Sequence, residues 1–98
     1  MKYHTILLFS LAAFALHAEE WTGAISESGC GLKHADGGAE GCVTGCVKKG
    51  AAPVFVTGGK VYKIANGEKV MNHLGKKVKL TGKLENETVT VDALTAAQ

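Results

Sequence analysis

Apolar residues alternate along most of this chain, and the pattern predicts a mainly β fold. The expected form is a small five-stranded OB-like barrel with two short helices, one of them an extra helix between strands 1 and 2. Three observations carry that class. Five β-rich runs lie between turn residues. Gly58-Gly59 separates the second run from the third as a tight hairpin would. A short helical pattern falls between the third run and the fourth, which is the order of an OB-type barrel.

The N-terminus stands apart. Met1-Lys2 is a short basic start, and Ile6 to Leu16 is almost wholly apolar. That run has the length of a signal-peptide core and is too short to span a bilayer. Residues 1–18 read as a cleaved signal peptide, cut after Ala18, with a cut after Ala15 as the runner-up. The compartment expected is the bacterial periplasm or the exterior, with no membrane span after cleavage. Residues 19–98 then form a single OB-like domain, near the lower size limit for an unassisted core.

The elements follow in order. Trp21 to Ser28 reads as the first strand, with Trp21, Gly23 and Ile25 on one face. Gly29 to Gly38 holds four glycines and reads as an irregular turn. Ala39 to Lys49 reads as a helix with Ala39, Cys42, Val43, Cys46 and Val47 as its apolar stripe. Gly41 and Gly45 weaken it by roughly 1 kcal/mol each relative to alanine, so an outside constraint is expected. Pro53 to Thr57 and Lys60 to Ala65 form the hairpin around Gly58-Gly59. Asn66 is expected to cap a helix from Gly67 to Leu74, with Val70, Met71 and Leu74 inward and Gly75 as its stop. Lys77 to Leu84 alternates with Val78, Leu80 and Leu84 on one face. After a turn at Glu85-Asn86, Thr88 to Leu94 alternates through Val89, Val91 and Ala93, and Thr95 to Gln98 is expected to fray.

Charge and composition narrow the function. Beyond the signal, ten lysines face nine acids, and the chain has no arginine. Phosphate and base recognition favour the forked guanidinium, so no nucleic-acid partner is expected. Lys76, Lys77 and Lys79 read as a solvated strand edge.

Three runs resemble a group of small exported bacterial proteins with no assigned activity. They are Gly23 to His34 (GAISESGCGLKH), Cys42 to Ala51 (CVTGCVKKGA) and Lys60 to Asn66 (KVYKIAN). That group carries an S-x-x-C-G-x-x-H segment, a C-x3-C helix and a C-terminal V-x-L/V-x-G hairpin. The resemblance implies the fold and the compartment, and carries no reaction across. The tail, Val78 to Leu84 followed by Thr88 to Leu94, is also similar to the closing hairpin of bacterial OB-fold proteins.

Chemistry concentrates in Cys30, His34, Cys42 and Cys46, spaced C-x3-H-x7-C-x3-C, which includes every cysteine of the chain. On a helix, Cys42 and Cys46 stand with Cβ atoms about 5–6 Å apart. A disulfide wants about 3.8 Å, so those two suit a shared metal better than a bridge. Cys3His is a closed ligand set for Zn²⁺, and soft sulfur equally suits Cu(I). Asp36 and Glu40 are candidate partners for the second nitrogen of His34. Alternatively Cys30 pairs with Cys42 or Cys46 as a disulfide and leaves one free thiol. A Cys30–Cys46 bridge would add roughly 3 kcal/mol in the chain-entropy model.

No enzyme is expected. There is no C-x-x-C dithiol and no C-x-x-C-H haem motif, and no third residue is evident to orient a Cys30–His34 pair. Glu27, Asp36, Glu40, Glu68, Glu85, Glu87 and Asp92 read as mostly solvated acids, and His73, near Met71, as an ordinary surface or satisfied histidine. Three function classes stay open: an exported protein binding zinc or copper through the Cys3His cluster, an OB-type ligand- or protein-binding module stapled by one disulfide, and a thiol enzyme or redox carrier, which would require an exposed cysteine of lowered pKa. A spare thiol or an exposed strand edge would allow a homodimer.

Overall fold

The structure, a computed structural model, describes residues 18–97. The predicted signal peptide lies outside the described residues except for Ala18. Strand β1 (Glu19–Glu27) leads into a 3₁₀ turn (Gly31–His34) and helix α1 (Glu40–Lys48). The hairpin β2 (Pro53–Thr57) and β3 (Lys60–Ile64) follows, then a 3₁₀ segment (Gly67–His73), β4 (Lys77–Glu85) and β5 (Thr88–Ala96).

The strands close into a ring in the order β1-β2-β3-β5-β4. β3 and β5 run parallel, and the other neighbours run antiparallel. This is the predicted five-stranded OB-like arrangement, with α1 inserted between the first two strands. Gly58 and Gly59, at φ +57° and +77°, make the hairpin turn that the sequence announces. Ile25, Phe55, Val78, Leu80, Val89 and Val91 fill the interior, joined by Val70, Leu74 and Val43 of the connecting segments. The Trp21 and Phe55 rings pack with centroids 6.5 Å apart. No helix among the described residues is long and apolar enough to cross a membrane.

The second half of β1 and β2 is buried on both faces. Ile25 and Phe55 point inward, yet Ala24, Ser26, Val54 and Val56 are buried too. The Gly31–His34 turn lies over that outer face and touches β1, β2 and β3. The Ser26 hydroxyl donates to the Gly31 carbonyl at 2.8 Å.

Helix α1 rests on the turn before β4. The Ala39 N–H donates to the Gly75 carbonyl at 3.2 Å, and the Gly75 N–H donates to Ile25 at 2.7 Å. Gly75 has φ +77°, and a Cβ there would sit 2.5 Å from Glu40 Cα. Glycine is therefore needed twice at this position, for its backbone angle and for the approach of α1. With Val43 buried in the core, tertiary docking supplies the constraint that the glycine-weakened helix needs.

Several local expectations are corrected. Asn66 does not cap the segment after it. Its amide instead bonds both the N–H and the C=O of Val91 at 2.9 Å, tying the segment to β5. The segment is 3₁₀, with three residues per turn, so Val70 faces inward while Met71 turns out and is 47% exposed. Leu84 is 43% exposed at the end of β4. A bulge shifts the β4–β5 register, with Thr81 opposite Ala93 but Gly82 opposite Val91. One extra residue reverses the side-chain phase, so Leu94 packs against the core and Ala93 is exposed. The tail does not fray at Thr95, since Ala96 pairs with Val78 and the Ala97 N–H donates to the Lys77 carbonyl at 2.9 Å. The start of β4 has its second neighbour only there. Lys76, Lys77 and Lys79 are exposed as expected, but β4 is no edge, because β1 and β5 flank it.

Candidate metal centre

The centre begins at the end of β1. Glu27 alternates onto the same face as Ile25 and is only 1% exposed. Its carboxylate accepts the Gly29 N–H at 2.6 Å and the Cys30 N–H at 3.0 Å. Those two bonds turn the chain tightly out of the strand and fix the backbone of Cys30. The Lys33 N–H donates to the Cys30 carbonyl at 3.0 Å, which opens the 3₁₀ turn and brings His34 back over Cys30. Helix α1 supplies the other wall, with Cys42 and Cys46 one turn apart.

Cys30, His34 and Cys42 converge. Each offers a ligand atom, and these atoms lie within 4.8 Å of one another. A single ion can sit between donors so placed. Cys30 and His34 are half-buried, while Cys42 is exposed. His34 Nε2 is buried without a hydrogen-bond partner. Buried polar atoms are nearly always paired, so an orphan beside two thiols points to a group that such donors bind. Two thiolates and an imidazole are a borderline-soft set suited to zinc or copper.

Cys46, the fourth predicted ligand, is outside that trio. Its half-buried thiol lies by Cys42 and by the Glu27 carboxylate, which both act on it. No disulfide is formed: Cys30, Cys42 and Cys46 are all free, so neither predicted bridge from Cys30 is present. Asp36 and Glu40 are exposed, and the carboxylate at the cluster is Glu27 instead. The sequence reading took Glu27 for a solvated acid, because a charged residue at a strand end usually is. Its position in the inward phase of β1, three residues before Cys30, is the signal that could have found it. His73 also departs from expectation, since its Nδ1 is buried with no partner.

The charges of the cluster are coupled. The Cys30 thiol, donating to Glu27, is the main cause that holds the carboxyl below its ordinary value, and the Gly29 N–H adds to it. In return Glu27 pushes the Cys30 thiol up, helped by burial. Burial chiefly, then the charges of Glu27 and Cys42, push Cys46 up as well. Without an ion, these directions favour an ionised Glu27 beside protonated Cys30 and Cys46 thiols. A second concavity, lined by Trp21, Phe55, Thr57, Tyr62, Leu84 and Val89, carries no cysteine or histidine. No family model, no curated protein and no solved structure matches the chain.

Proposed function

We propose that this protein is a small exported bacterial metal-binding protein rather than an enzyme. It holds one soft ion, zinc or copper, through Cys30, His34 and Cys42, with Cys46 on the next turn of α1 as the fourth ligand. The observation that carries this reading is the convergence of the three donor atoms within 4.8 Å. The unpartnered Nε2 of His34 supports it. So does the compartment expected from the N-terminus, where clustered free thiols oxidise unless something holds them. The raised Cys30 and Cys46 thiols speak against a thiol nucleophile, which requires a lowered value. The OB-type ligand module is less well supported, because the Gly31–His34 turn covers the outer face of β1 and β2 and touches β3, beside the strands with which OB folds commonly bind.

Elemental analysis of protein purified under reducing conditions tests the reading. One ion per chain is expected, with occupancy falling in Cys42→Ser and His34→Ala. Ion present at a hundredfold over its Kd adds about 2.7 kcal/mol, so a chelator should lower Tm by roughly 10 °C or more. An ion-free protein whose melting ignores both chelator and added metal would overturn the proposal.

A further inference from the structure

Glu27 is the buried charge in this cluster that the ligand set does not use. It is 1% exposed and held by two backbone N–H donors, at 2.6 and 3.0 Å. Both donors are backbone groups of the turn that leaves β1, so the main chain itself holds the carboxylate. Its charge acts on both Cys30 and Cys46, so it stands next to the place where thiolates form.

When an ion binds, Cys30, Cys42 and Cys46 lose their protons, and the Cys30 thiol no longer donates to Glu27. Three thiolates and one carboxylate then share a region partly closed to water. A monovalent ion leaves three negative charges uncompensated there, and a divalent ion leaves two. Charge imbalance in a poorly solvated region is expensive, and attraction to a carboxylate scales with the charge of the ion. We infer that Glu27 is a specificity-determining residue of this centre, whose buried negative charge shifts its preference from Cu(I) toward a divalent ion such as Zn²⁺. The inference rests on the metal-binding reading and narrows it.

The experiment compares affinities for the two ions in the full mature chain, at one pH and one ionic strength. Zinc is titrated against a chromogenic chelator, and copper(I) against a phenanthroline-type chelator. The readout is the ratio of the two Kd values, in which competition with protons largely cancels. Glu27→Gln keeps the shape and one acceptor but removes the charge. It should move the ratio toward copper by about tenfold or more, the usual scale for groups just behind the ligands, and Glu27→Asp should restore much of the zinc preference. Lys33→Glu alters an exposed residue whose charge acts on Cys30, so the fold should tolerate it. It should move the ratio the other way, and it decides the matter if Glu27→Gln does not fold. Equal weakening of both ions, or an unchanged ratio, would overturn the role of Glu27 while leaving the metal centre intact. A wild-type chain that binds neither ion would overturn the metal-binding reading itself.

Discussion

Removing one carboxylate, that of Glu27, would disturb four other groups: the Gly29 and Cys30 amides and the thiols of Cys30 and Cys46. The pH dependence of the metal-free fold follows from this coupling. A carboxyl lowered on folding stabilises the fold above its unfolded value of about 4.3, and that stability is lost as pH falls through the folded value. Thiols raised on folding stabilise it below their unfolded value of about 8.5, and that stability is lost as pH rises through the folded value. Melting of the metal-free protein should therefore peak between about pH 5 and pH 8 and drop on both sides. With metal bound the thiolates are ligands, so the alkaline drop should disappear and the acid drop should steepen. Thermal melts from pH 4 to 10, with and without zinc, check this; identical curves would contradict it. The thiols and the imidazole were legible as a cluster, since their spacing alone groups soft donors. Glu27 was not, because its carboxylate is held by the Gly29 and Cys30 N–H groups of a turn that strand alternation does not reveal, and helical spacing sets Cys46 beside Cys42 but outside the trio that Cys30, His34 and Cys42 form.

Helix α1 shows how an element of poor intrinsic propensity is held. Gly41 and Gly45 weaken it, and nothing lies within 4 Å of a Cβ at either position. Gly41→Ala should therefore stabilise the fold by about 1 kcal/mol. Gly75→Ala should do the opposite: it places a Cβ against Glu40 in a left-handed backbone, and should destabilise by several kcal/mol on the order of other severe steric changes. Because α1 carries Cys42, Gly75→Ala should also weaken metal binding while Gly41→Ala leaves it intact, and chemical denaturation with parallel zinc titration reads both. The hairpin was legible from Gly58-Gly59, whose turn chemistry is local. The 3₁₀ character of Gly67–His73 was not, because Asn66 is drawn to Val91 of β5 by a contact across the barrel. The reversal at Ala93 and Leu94 was equally hidden, since a bulge depends on the partner strand.

At the scale of the whole molecule, alternation and turn spacing were enough to give the strand count and order. The closed ring itself depends on β5, which joins β3 on one side and β4 on the other. Until Thr88 to Ala96 is in place, both of those neighbours present unpaired backbone, the arrangement that invites sticking between chains. A chain ended before Thr88 should be protease-sensitive and aggregate, whereas the full chain should resist; limited proteolysis with light scattering distinguishes them. A polypeptide threaded through a translocation pore from its N-terminus delivers that stretch last. On the export route proposed above, the barrel therefore cannot shut before β5 has emerged, and the donors carried by the β1 turn and α1 are seated in a closed barrel only after that.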